Sequence, residues 1–366
     1  MTIAVSSSSS DAQSPSADRA IGLWLLACCA MIFAMAVIGA ITRLTDSGLS
    51  IMEWAPLRGA LPPLSEAEWQ RVFALYQQIP EYRDVNAGMT LAEFKAIFWW
   101  EYFHRLWGRL IGVVFLVPFL WFLIRGRIRR TLAPRLALIF VLGAGQGALG
   151  WYMVASGFAD RTDVSQYRLV AHLLAAVAIY GVILWIALGL LEPAPVPSTD
   201  ARTGRLRTAL AGLSALVLVT VASGGFVAGL DAGFIYNTFP LMDGRLVPAD
   251  YAALQPFVAN WFENVAAVQF NHRLLAVTTV TTALALWLWA RRLELPPRAR
   301  SALHHVAAMA LIQFALGIAT LLWVVPVWLG ALHQAGALIL FSFTLWTLHR
   351  LRPAPDLTSA AAGIEP

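Results

Sequence analysis

Long apolar runs separated by short polar breaks dominate the chain, and eight runs reach the roughly 20 residues that cross about 30 Å of hydrocarbon. They predict spanning helices over 21–41, 99–124, 134–156, 168–191, 207–230, 264–290, 301–324 and 327–349. One polar stretch, 42–98, is too long for a bare loop. In it Ser65-Glu66-Ala67-Glu68 is a capping box. Trp69, Val72, Phe73 and Tyr76 follow at amphipathic helical spacing and stop before Pro80. Thr90-Leu91-Ala92-Glu93 is a second box with Phe94, Ile97 and Phe98 behind it. Two short amphipathic helices lying on the membrane surface are expected.

Basic residues fall on alternate breaks. The break at 125–135 holds Arg125, Arg127, Arg129, Arg130 and Arg135, that at 192–206 adds Arg202 and Arg205, and that at 291–300 holds Arg291, Arg292, Arg298 and Arg300. Positive charge marks the cytoplasmic side, so both termini are expected there. The Pro-rich link "EPAPVPSTDARTGR" separates two sets of four helices. Four matches recur in order with offsets between 161 and 185. Asp46-Ser47-Gly48-Leu49 pairs with Asp231-Ala232-Gly233-Phe234, and His104-Arg105 with His272-Arg273. Gln146 to Gly150 pairs with Gln313 to Gly317, and His172 with His333. This supports a tandem duplication with parallel repeats.

The expected class is an all-α polytopic membrane protein: two tandem, pseudo-symmetric four-helix bundles plus short helices in the first outer loop. The domains would be a disordered cytoplasmic N-terminus (1–20), an N-terminal bundle (21–191), a cytoplasmic linker (192–206), a C-terminal bundle (207–350) and a disordered tail (351–366). Composition agrees, with 59% hydrophobic and 13% charged residues. A net charge of +5, placed in short loops, suggests no nucleic-acid surface. Adjacent Cys28 and Cys29 form neither a disulfide framework nor a CxxC site.

His304, His305 and His349 sit at helix ends beside basic loops and read as interfacial. His104, His172, His272 and His333 fall at similar depth on alternate helices of each bundle, where side chains converge. Two repeated pairs fit a haem with an imidazole on each face of the iron. Structural histidines or another metal are the alternatives, and copper fits less well without a nearby thiolate or Met. Arg105 and Arg273 are candidates for propionate contacts, or helix-end arginines reaching water. Gly143, Gly145, Gly147, Gly150, Gly224, Gly225 and Gly229 suit either a flat macrocycle or close helix packing. The halves differ at one point: Glu101 shares a helix face with His104, whereas Gln269 precedes His272. One site would do chemistry and the other would pass electrons, unless Glu101 only pairs with Arg105. Glu53 is a weaker candidate, expected to cap or pair locally.

"GAITRLTDSGLSIMEW" (39–54), "LPPLSEAEW" (61–69), "FWWEYFHRLWGR" (98–109), "YNTFPLMDG" (236–244), "QFNHRLLA" (269–276) and "LHQAGAL" (332–338) together resemble the haem A synthase family. The resemblance covers about residues 21–350. With no cysteine in the first outer loop, it is to the mitochondrial and alphaproteobacterial branch, and the redox role proposed for a loop cysteine pair in other branches has no residues here. It implies oxidation of a methyl group of haem O to the formyl group of haem A for terminal oxidases. It implies a substrate haem on His104 and His172, a permanent haem b on His272 and His333, and Glu101 as catalytic residue. An inner-membrane location with haem sites towards the periplasm is implied too. Expected partners are the haem O-forming farnesyltransferase, an electron donor and membrane lipid, with a homo-oligomer open. A dihaem b-type electron-transfer cytochrome and a proton-relaying transporter are the competing readings.

Overall fold

The computed structural model of the protein describes residues 15–55, 58–158, 161–192 and 201–353. Eight of its helices are long and apolar enough to cross a membrane. They are α1 (Pro15–Leu44), α3 (Leu91–Ile124), α4 (Ala133–Val154), α5 (Gln166–Leu191), α6 (Ala201–Gly229), α8 (Val265–Ala290), α9 (Pro297–Leu322) and α10 (Val327–Arg350). Two short helices, α2 (Glu66–Tyr76) and α7 (Asn260–Glu263), lie in the loops before α3 and α8. No strand occurs among the described residues. The protein is an all-α polytopic membrane protein.

Helices α3 and α5 both pack on α1 and on α4, while α8 and α10 both pack on α6 and on α9. Contacts of α1 with α10, and of α5 with α6 and α10, join the two groups. Small residues permit this approach. A Cβ added at Gly229 of α6 would stand 2.7 Å from Gln166 Cβ of α5, and one at Gly225 would stand 2.9 Å from Val170. Gly181 of α5 similarly faces Phe341 of α10, and Tyr180 and Ser342 share a hydroxyl hydrogen bond of 2.7 Å between the same helices. The core continuous across the groups includes Leu25, Ile183, Leu210, Leu213 and Phe341, together with the free thiols Cys28 and Cys29.

A second cluster caps the end opposite the termini, the far end below. Trp69, Phe73 and Tyr76 of α2 pack on Phe94, Phe98 and Tyr102 of α3, with Leu49 and Val164 beneath them. Ser65 caps α2 by accepting from the Glu68 amide (3.2 Å), and α2 stops before Pro80 as expected. The Thr90–Glu93 box is complete, yet it opens no separate surface helix. No Gly or Pro interrupts the chain between Thr90 and Gly108, so the helix runs from the box straight into the spanning segment, and α3 is 34 residues long with Pro118 inside it. Helices α1 and α6 also begin six residues before the expected limits. Pro15–Ala20 is thereby helical, whereas most of the expected N-terminal disorder, part of the linker and most of the tail lie outside the described residues.

Candidate functional site

Four histidine rings each lie against a glycine of a neighbouring helix. His104 of α3 lies against Gly39 of α1, and His172 of α5 against Gly150 of α4. His272 of α8 lies against Gly224 of α6, and His333 of α10 against Gly317 of α9. A Cβ on these glycines would come within 3.2, 2.9, 3.1 and 2.9 Å of the respective rings. Larger residues would therefore push each imidazole away. In each group the two histidines come from helices diagonal to each other, so both project towards the group's axis. The His272 and His333 ring centroids are 6.4 Å apart.

Beside His104, Glu101 is buried and tightly held. Its Oε2 accepts from Ser50 Oγ and from the Ile51 amide, both at 2.7 Å. Its Oε1 accepts from Arg105 Nε at 2.9 Å and also from Arg105 Nη2. Four donor hydrogens converge on one carboxylate, so the pocket suits the anion. The second group repeats this plan with reversed polarity. Gln269 Nε2 donates to the Ala232 carbonyl (2.7 Å) and the Ile235 carbonyl (2.5 Å), while its Oε1 accepts from Arg273 Nη2 (2.9 Å). Arg105 donates to the Ile51 and Glu53 carbonyls, and Arg273 to those of Tyr236 and Thr238. The loop that offers an amide to the acid in one group offers carbonyls to the amide in the other.

The family described as cytochrome oxidase assembly protein, COX15-CtaA, matches residues 22–345. The chain is 53% identical over 352 residues to heme A synthase of Rhodospirillum centenum, covering 96% of this chain and 94% of that protein. It is 52% identical to heme A synthase of Nitrosospira multiformis, with coverage of 92% and 94%. For heme A synthase of Paramagnetospirillum magneticum the figures are 52%, 92% and 94%. The chain belongs to the haem A synthase family.

In this haem A synthase family member, the ion pair between Glu101 and Arg105, the alternative to a chemical role for Glu101, is formed. Arg105 divides its donors between Glu101 and the loop, and Arg273 gives most of its hydrogen bonds to the loop, but Arg273 Nε is buried without a partner among the described residues. Glu53 stands apart from the histidines. Both its oxygens accept from Arg71, at 3.0 and 2.9 Å, which holds its carboxyl below the usual range. Of the glycines, Gly150 and Gly224 seat histidines, Gly225 and Gly229 pack α6 on α5, and Gly143, Gly145 and Gly147 face open space. His349 lies in the last turn of α10 as expected and is buried there, with Glu192 Oε2 at 3.2 Å from its Nδ1.

Several site residues gave no catalytic signal in the sequence. Ser50 and the Ile51 amide reach Glu101 across 50 residues of loop, a link no local pattern announces. Ser223, whose Oγ lies 2.8 Å from His272 Nδ1, was equally silent. Gln146 and Gln313 did carry a signal, because each recurs four residues before a histidine-seating glycine. Their Nε2 atoms donate to the His172 and His333 carbonyls at 2.8 and 2.9 Å.

Proposed function

We propose that the protein oxidises a methyl group of haem O to the formyl group of haem A, with haem O held by His104 and His172 and a permanent haem b by His272 and His333. The observation that carries this reading is the repeated diagonal pair of glycine-seated histidines, one pair beside a carboxylate and the other beside an amide. Relatives named heme A synthase at about half identity support it.

The residues suit such a group. Metal–imidazole bonds of about 2 Å place two ring centroids on one metal roughly 6 Å apart, close to the 6.4 Å between His272 and His333. Ser223 Oγ lies 2.8 Å from both the Thr220 carbonyl and His272 Nδ1; with the hydroxyl donating to that carbonyl it would accept from Nδ1. The His272 proton then lies on Nδ1 and Nε2 is left as a ligand. The buried, unpartnered Nε of Arg273 leaves a donor for a propionate. Bound haem b would supply an electron route.

Turning a methyl into a formyl group adds an oxygen atom and removes electrons and protons, so the site must manage charge. Glu101 sits one turn from His104, and its donors keep it an oriented anion. With haem O bound, it would steady positive charge that develops on the substrate, in surroundings where water does not screen it. Arg105 ties this carboxylate to the Ile51 and Glu53 carbonyls and so fixes its place. Gln269 carries no charge, which suits a site that only relays electrons. The arginine-rich breaks support a topology with both termini cytoplasmic and the histidines towards the periplasm. The farnesyltransferase that makes haem O and an electron donor are the partners this reading requires.

The test is to produce the Glu101→Ala protein alongside haem O-forming machinery and identify the extracted pigments. This reading expects haem b retained and haem A lost. An unchanged haem A yield would favour a dihaem electron-transfer cytochrome instead.

A further inference from the structure

Resting on the two-haem reading above, we infer that Gly147 and Phe314 set which haem each group accepts: Gly147 admits a haem with a long alkyl chain, and Phe314 excludes it. The helix pairs α4–α5 and α9–α10 match closely around these positions. A Cβ added at Gly150 or Gly317 would stand 2.9 Å from Cε1 of His172 or His333 respectively. Gln146 and Gln313 donate to the carbonyls of the same two histidines, at 2.8 and 2.9 Å. Gly147 and Phe314 each lie three residues before the seating glycine, so they share its helix face and occupy corresponding places.

What stands there differs. A Cβ at Gly147 would meet nothing within 4 Å, and the same holds at Gly143 one turn before it. Phe314 instead carries a ring, partly buried against the core, and Ala310, the counterpart of Gly143, is buried. The loops over the two groups show the same change. Arg105 donates to the carbonyls of Ile51 (2.6 Å) and Glu53 (3.0 Å), and Arg273 to those of Tyr236 (2.6 Å) and Thr238 (2.8 Å). Trp54 and Phe239, the next residue in each loop, therefore hold the same position. Phe239 meets Phe314, with ring centroids 6.1 Å apart. Trp54 meets Trp151 of α4 at 6.0 Å, just past Gly150 towards the far end. The aromatic contact lies before the seating glycine in the second group and beyond it in the first, which leaves Gly147 bare.

Haem O and haem A carry a farnesyl chain that haem b lacks. A bare helix face takes up such a chain without displacing a side chain. A ring held between loop and core would have to be pushed aside, which close packing resists. Selectivity of this kind comes from a clash with the wrong ligand as much as from contact with the right one.

The experiment produces the full-length protein in cells that make both haem b and haem O, then extracts its pigments and identifies them by chromatography and mass. Wild type should carry haem b together with haem O or haem A. Gly147→Phe should lower the content of haem O and haem A about tenfold with haem b retained, whereas Gly147→Ala should stay near wild type. In a His172→Ala protein, which should hold haem b alone, adding Phe314→Gly should let haem O enter. Unchanged haem O and haem A content in Gly147→Phe overturns the inference and leaves the proposed function standing. If Gly147→Phe binds no pigment at all, the Phe314→Gly arm decides, and a protein still without haem O overturns the inference. A wild type holding haem b alone, or no haem, overturns the proposed function itself.

Discussion

At the scale of single residues, the carboxylate of Glu101 and the amide of Gln269 show how one scaffold holds a charged and a neutral group in matching places. Each is gripped by a following arginine and a preceding loop, and the loop's polarity matches the charge. Glu101→Gln would turn an amide NH2 towards the Ser50 hydroxyl and the Ile51 amide, two groups that already donate. It should cut haem A yield by about 10²-fold with haem b retained in the visible spectrum. Ser50→Ala removes one of four donors to Glu101, together with a hydroxyl contact to the Ser47 carbonyl (3.1 Å), and should reduce haem A yield about tenfold. Equal yields in Ser50→Ala and wild type would show that the hydroxyl does not position the acid. The histidines and the Glu/Gln difference were legible in the sequence because the chain contains its own comparison. Ser50 and Ser223 were not, since their partners depend on where a loop or a neighbouring helix runs in space.

At the scale of elements, the far-end cap carries a buried acid that sequence patterning passed over. Glu81 Oε1 accepts from the Tyr76 hydroxyl (3.2 Å), which itself accepts from Asn86 Nδ2 (2.8 Å), while Oε2 is buried without a partner among the described residues. Burial pushes this carboxyl from 4.5 up to about 8, and the charges of Asp46, Glu101 and Asp163 add to the effect. Between those two values the folded cap binds more protons than the unfolded one, so its stability falls as pH rises across that window. Limited proteolysis of the 60–90 segment should therefore quicken from pH 6 to pH 9. Glu81→Gln, which keeps the shape without the charge, should flatten that dependence, and an equal slope in both proteins would contradict the assignment. The element types were readable from apolar run lengths and from the two Ser/Thr–Glu boxes. The junction at α3 was not, because a capping signal marks a helix start and says nothing of where that helix ends.

At the scale of the whole molecule, the joint between the two helix groups is electrostatic at the far end. Arg43 Nη2 reaches Asp163 (2.6 Å) and Asp231 (2.9 Å), and Nη1 reaches Asp46 (3.0 Å). Asp46 and Asp231 occupy equivalent turns after α1 and α6 and share a left-handed backbone, with φ of 47° and 51°. Arg43→Met leaves three carboxylates facing one another around an apolar side chain. With the carboxylates partly exposed, the cost should be about 2 kcal/mol, read as a lower thermal midpoint in detergent, and an unchanged midpoint would argue against this joint. The motifs that recur in the two helix groups were visible in the sequence, but the side chain that ties the groups together was not, because its three acids come from three separate segments. The central claim is that two pairs of histidines hold two different haems, and the visible spectrum with pigment identification tests it most directly. Replacing His272 or His333 with a non-coordinating residue should abolish the haem b signal, and replacing His104 or His172 should abolish haem O and haem A while haem b persists. Retention of every pigment, unchanged in spectrum, in any of these four variants would contradict the account.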